Sequence, residues 1–199
     1  MRKYLFSGLL IIVICLVGVA FWALRPLTKA AEITPNELVN WVTDTDNAVF
    51  EATNEYFYIQ EAIGSTGVVL QNPYKVSNDF NLNFQVMSLT KTADLSFILK
   101  KENHTYNIAL KIENGESKIV LYKDNLQMLE KSGVQIKPDI YYHFNLIGKN
   151  GKIGFAINED EVVNMQIDKF PFDLAIELTG EPDNPAAIQI TNMQISNKQ

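Results

Sequence analysis

Cysteine is almost missing from this chain: Cys15 is the only one in 199 residues. It lies inside an apolar run, so the body that follows can form no internal disulfide and offers no thiolate nucleophile or ligand. Histidine is nearly as scarce. His104, expected in a loop, and His143, expected outward on its strand, stand 39 positions apart without a cysteine partner, which leaves no zinc-type spacing. No serine is framed by nucleophile-elbow glycines, so the sequence names no Ser-His-Asp hydrolase. Positive charge is also in deficit, with 17 Lys+Arg against 23 Asp+Glu. From Ile33 onward the balance is 13 against 22, a net charge of −9, which argues against nucleic acid and anionic lipid surfaces as partners. There is no internal repeat and no low-complexity segment.

What is present begins with Leu5 to Leu24, an apolar run of twenty residues without a charge, preceded by Arg2 and Lys3. About 20 residues at 1.5 Å each span a bilayer core of roughly 30 Å. Phe21 and Trp22 fall where interfacial aromatics anchor a helix, and Arg25-Pro26 stops it. The expectation is an uncleaved signal anchor with a cytoplasmic amino terminus. That makes the chain a single-pass protein of the cell membrane whose carboxy-terminal domain lies outside the cytoplasm. Thr28-Lys29-Ala30 offers an alternative, a cleavage site that would release the body. Cys15 follows Ile14, not a small residue, so it does not read as a lipidation site. Residues 1–32 are therefore anchor and tether, and residues 33–199 one domain with a core of ordinary size.

Thr34-Pro35-Asn36-Glu37 has the form of a capping box with proline at the first helical position, which predicts a short helix over Pro35 to Val42. Leu38, Trp41 and Val42 would pack it against the rest. From Val49 onward strand follows strand. Phe80, Leu82, Phe84 and Val86 alternate with Asn81, Asn83 and Gln85. Tyr106, Ile108, Leu110 and Ile112 run into Asn114-Gly115, and Asp124-Asn125 turns again. Tyr142, Phe144 and Leu146 lead through Asn150-Gly151 into Ile153, Phe155 and Ile157. Period-two alternation on both sides of Asn-Gly is the strongest short-range signal of a hairpin, because a I′ turn needs positive φ at both central residues. A further strand is expected at Val162 to Ile167. Ile188 and Ile190 agree in face with Met193 and Ile195 only if a bulge falls near Thr191-Asn192. Around a dozen short antiparallel strands with frequent turn signals predict an all-β, two-sheet sandwich.

The order of these segments resembles the concanavalin A-like lectin and glucanase jelly roll, including laminin-G-like and family-sixteen-glucanase-like domains. The likeness rests on Asp79-Phe80-Asn81-Leu82, on Tyr106 to Leu110, on Ile140-Tyr141-Tyr142-His143-Phe144, on Ile153 to Val163, and on Ala187 to Ile195 as a closing strand. It covers roughly Val49 to Ser196. Tyr141 or Tyr142 stands where such domains commonly carry a tryptophan. The resemblance implies that a glucanase would carry Glu-x-Asp-x-x-Glu on one strand, so that all three carboxyls share a face. No strand here has it. Glu181-Pro182-Asp183 matches only in part, since Pro182 and Pro185 place it in a loop and Ala186 takes the third place. Glu159-Asp160-Glu161 is consecutive and reads as a solvated turn.

No catalytic residue, metal site or cofactor is therefore assigned. Calcium, known in some laminin-G-like domains, would find oxygens at Asp183 with Asn184 or at Asp44 with Asp46. Asn103-His104-Thr105 is a glycosylation sequon for a eukaryotic secretory host. What remains is a binding surface. Asn83, Gln85, Ser96, Asn107, Lys111 and Tyr122 point outward and are expected to line one concave face. Amides exchange hydrogen bonds with sugar hydroxyls in both directions, and aromatic rings stack on sugar faces. The expected function is recognition of a glycan or an envelope protein without catalysis. A hydrolase with unconventional carboxylates and a structural subunit of an envelope assembly are the alternatives. Two facing carboxyls on adjacent strands would favour the hydrolase.

Overall fold

The structure is a computed structural model that describes residues 30–42, 46–113, 116–168 and 170–198. The run Leu5 to Leu24, Asp44 and the Asn114-Gly115 turn lie outside the described residues. Among the described residues no helix is long and apolar enough to cross a membrane. In chain order the elements are β1 (Ala31–Glu32), α1 (Pro35–Leu38), β2 (Ala48–Ala52), β3 (Phe57–Glu61), β4 (Val68–Gln71), β5 (Asp79–Ser88) and β6 (Thr92–Lys101). They continue with β7 (His104–Glu113), β8 (Glu116–Lys123), β9 (Leu126–Val134), β10 (Tyr141–Lys149), β11 (Lys152–Ile157), β12 (Asp160–Gln166), β13 (Asp173–Thr179) and β14 (Ala187–Lys198).

Two antiparallel sheets result. The larger runs β12-β11-β10-β5-β14-β3-β2, with β1 added to the far end of β14, and the smaller runs β4-β13-β6-β7-β8-β9. The central hairpin forms as expected. β10 pairs with β11 from Phe144 opposite Ile157 to Lys149 opposite Lys152, and Asn150 and Gly151 turn at φ 52° and 70°. Asp124 and Asn125, at φ 51° and 66°, turn β8 into β9 in the same manner. The expected bulge is present. The β14–β5 register shifts between Thr191 and Gln194, with Asn192 at φ 52°. The extra length resets the side-chain parity, so Ile188 and Ile190 before it and Met193 after it all reach the core.

Three expectations are revised. The short helix stops at Leu38 and continues as a 3-10 turn through Trp41, although Thr34 N–H does bond Glu37 Oε2 at 2.9 Å and Leu38 and Trp41 are buried. The strand expected at Val162 to Ile167 begins two residues earlier, because Asn158 and Glu159 alone make the turn at φ 49° and 73°. His104, expected in a loop, opens β7 and sits 3.0 Å from Asp124 Oδ2.

The core lies between the sheets and is strongly aromatic. Phe97 of the smaller sheet meets Phe84, Phe144 and Phe155 of the larger at centroid distances of 5.8, 6.2 and 5.0 Å. Such tilted pairs contribute about 0.5–1.5 kcal/mol each beyond the area they bury. At one end of the sandwich a carboxyl does the joining. Glu61, 3% exposed at the end of β3, accepts from Gly180 N–H at 2.6 Å, from Ala186 N–H at 3.5 Å and from Ser65 Oγ–H at 2.9 Å. Glu61 thus fastens the loop after β3 to the loop after β13. Glu61→Ala strands buried donors and is expected to cost about 1–3 kcal/mol in urea denaturation. An unchanged midpoint would show that the carboxyl is dispensable.

A candidate binding hollow on the smaller sheet

Alternation puts every second residue of the smaller sheet on its outer face, and register decides which of them meet. One row crosses the sheet as Glu177, Ser96, Ala109, Val120 and Glu130. The next reads Thr179, Asp94, Lys111, Lys118 and Ser132, and the row on the other side contains Asn107 opposite Tyr122. The middle row is small in the centre. Ala109 and Val120 are 3% and 1% exposed yet lie outside the cluster packed between the sheets, because larger neighbours on the outer face cover them. Small residues flanked by long ones make a floor with walls.

Two hollows lie on this face. One, of about 540 Å³, is lined by Asp94, Ser96, Asn107, Lys111, Tyr122 and Glu177 among others. The second, of about 720 Å³, is lined by Lys111, Glu113, Glu116, Lys118, Glu130 and the Ser132–Gln135 segment. Lys111 borders both, so the two adjoin at that side chain and make a divided trough crossing the strands from β13 to β9. Four strand spacings of about 4.8 Å give it a length of roughly 19 Å.

The structure brings together four of the six residues singled out in the sequence. Ser96, Asn107, Lys111 and Tyr122 line the same hollow. Asn83 and Gln85 do not join them. Both lie on the outer face of the larger sheet, where Asn83 faces Asn145 and Gln194, and Gln85 faces His143 and accepts from Asn192 Nδ2–H at 3.0 Å. The single concave face expected from the sequence is therefore divided between opposite sides of the sandwich. Period-two alternation tells which residues point outward but not which sheet a strand joins.

Two residues escaped the sequence reading. Asp94 and Glu177 are outward carboxyls on the neighbouring strands β6 and β13, and both line the hollow. Burial pushes the pKa of each upward, and for Asp94 the Lys111 ammonium, 3.5 Å from Oδ2, partly offsets that rise. Glu177 has no such relief. Among the described residues its carboxyl takes part in no hydrogen bond or ion pair. The signal was there to find: Glu177 is the one acid between Leu174 and Leu178, the apolar centre of a strand bounded by Asp173 and Thr179.

Asn107 adds another unmet acceptor, since its Oδ1 is buried without a hydrogen-bond partner. Below this end of the face, Tyr106 Oη–H donates to Asp168 Oδ2 at 2.6 Å and Lys123 Nζ stands 3.5 Å from the same oxygen, which pulls the Asp168 carboxyl below its usual range. That contact ties β7 to the segment before β13. Asp183 and Asn184 sit in an exposed turn, and no group of three or more His, Cys, Asp or Glu able to hold a metal ion occurs among the described residues.

No family model matches the sequence, and no curated protein matches it either. Solved structures do. A β-glucanase from Bacillus licheniformis superposes with a TM-score of 0.58 at 11% identity, over 78% of this chain and 84% of that one. The carbohydrate-binding module CBM66 from Bacillus subtilis gives 0.56 at 11% identity, over 76% and 92%. A Bacillus subtilis protein of unknown function with a galectin-like fold gives 0.58 at 12% identity, over 76% and 86%. Identities this low speak to the fold alone. By strand order, sheet pairing and these superpositions, the chain has the jelly-roll sandwich of the concanavalin A-like lectins and glucanases.

Proposed function

We propose that this chain is an extracytoplasmic glycan-binding module, tethered to the cell membrane by its amino-terminal apolar run. The observation that carries the reading is the trough across the smaller sheet. Its floor includes Ser96 and Ala109, and its walls combine an amide, a lysine, a tyrosine ring and carboxyls. Hydroxyls of a sugar need donors and acceptors at close range, and a ring edge or face covers the apolar side of a pyranose. The length of the trough suits an extended chain of sugars. The jelly-roll neighbours, which include a carbohydrate-binding module and a β-glucanase, support a sugar over the envelope-protein alternative.

The test is binding of the full-length chain, purified in detergent, to a panel of soluble oligosaccharides. At least one linear glycan is expected to bind, and Tyr122→Ala is expected to weaken it by about 1–3 kcal/mol, as loss of an aromatic platform does. Asn83→Ala and Gln85→Ala, on the far face, are expected to leave binding unchanged. Equal losses from both faces would remove the trough as the site.

A second reading is favoured by the placement of Glu177 and Asp94. Glu177 opposes Ser96 while Asp94 opposes Thr179, so the two acids are diagonal cross-strand neighbours. Diagonal partners lie roughly 7–8 Å apart, and inverting glycosidases hold their carboxyls about 6.5–9.5 Å apart with a water between them. Burial raises the pKa of both, but only Asp94 has a cation, Lys111, to offset it, so Glu177 would be the acid and Asp94 the base. The check is release of reducing ends from any glycan that binds. Binding without release, over long incubation with excess protein, discards the hydrolase.

Glu177 also makes a stability prediction. Its folded pKa lies above its unfolded value, so the ionised side chain destabilises the fold at neutral pH. That cost fades as the pH falls below about 4, where the group is protonated in both states. Glu177→Gln is therefore expected to melt higher than the wild type at pH 7 and level with it near pH 4. A lower melting temperature at pH 7 would mean that the carboxylate is held by favourable contacts.

A further inference from the structure

Glu177 is an acceptor without a donor, set where a ligand would lie. The groups facing it are Val69 on β4, Ser96 and Asp94 on β6, and Thr179 on its own strand. None is a cation, and Lys111 stands beyond Asp94 and is engaged with it at 3.5 Å. The side toward the β3–β4 loop is bare backbone. A Cβ on Gly67, at φ 120°, would come within 3.5 Å of Glu177 Oε1 and 2.9 Å of Thr179 Oγ1, so glycine keeps open a space that any other residue would fill. At the other end of the hollow Asn107 Oδ1 is a second acceptor left unmet.

Charge along the rest of the trough points the same way. Glu113, Glu116 and Glu130 face Lys111 and Lys118, so the trough is net negative before Glu177 is added. A glycan bearing carboxylates or sulfates meets more like charge than unlike along the path. An ammonium group, with three donors and no acceptor, supplies what Glu177 lacks.

We propose that the trough selects an amine-bearing glycan, a fully or partly N-deacetylated aminosugar chain, with one ammonium seated against Glu177. The inference rests on the glycan-binding reading and narrows it to a ligand class. The ammonium replaces a missing partner at a half-buried carboxylate, which explains why an unpaired acid is kept on this sheet.

The experiment titrates the full-length chain in detergent with four oligomers of equal length: glucosamine, N-acetylglucosamine, glucose and a uronic acid. At low salt the glucosamine oligomer is expected to bind about tenfold more tightly than the N-acetylated and glucose oligomers, the gain of one charge-assisted contact. The uronic acid oligomer is expected to bind least. Glu177→Gln is expected to erase the amine preference, so that the glucosamine, N-acetylglucosamine and glucose oligomers bind alike, and added salt is expected to reduce the preference in the wild type. Equal binding of the amine and N-acetyl oligomers to the wild type overturns the amine assignment and leaves glycan binding standing. Failure of all four, together with a blank oligosaccharide panel, overturns both.

Discussion

The contact of Phe97 with Phe84, Phe144 and Phe155 is what the rest of the molecule depends on. No cysteine follows Cys15, so no disulfide links the two sheets, and aromatic packing is the main contact between their facing sides. Phe97 comes from the middle of the smaller sheet and its partners from three adjacent or near-adjacent strands of the larger. Rings interlocked in this way fix the separation of the layers and their relative slide, because a close-packed interior tolerates little displacement. Every feature of the outer faces inherits its position from that fit.

The trough illustrates the inheritance. β6 and β7 send Leu95, Phe97, Leu99, Ile108 and Leu110 inward to the core, which obliges Asp94, Ser96, Asn107, Ala109 and Lys111 to face outward. Where the outward residues are small, as at Ser96 and Ala109, the backbone itself becomes a floor. Where they are long, as at Lys111 and Tyr122, they become walls. The binding face and the core are two sides of the same alternating strands, so no separate element had to be added to build the site.

The energetics of the two faces differ in kind. Inside, nearly every group is matched: Glu61 is buried, yet it accepts from two backbone donors and a hydroxyl. Outside, in the trough, Glu177 and Asn107 Oδ1 go unmatched. Asn81, Asn83 and Asn145 Oδ1 on the outer face of the larger sheet are buried without partners too, so it is the unmatched carboxyl and not the unmatched amide that sets the trough apart. The unmatched acid is the mark by which this face is told from the larger sheet, whose outer amides pair in part with one another, as Gln85 does with Asn192.

The sequence by itself determined the strands, their turns and their inward and outward faces. Asn150-Gly151 and Asp124-Asn125 dictate hairpins through positive φ, and the parity break between Ile190 and Met193 demands the bulge near Asn192. These signals are local, carried by residues within a few positions of each other. The tertiary structure alone decided that Asn83 and Gln85 share no face with Ser96, Asn107, Lys111 and Tyr122, and that Glu177, eighty-one positions from Ser96, lies directly opposite it. Sheet membership and cross-strand register come from long-range pairing, in which strands far apart in the chain meet because their buried faces fit, and no short stretch of residues encodes that meeting.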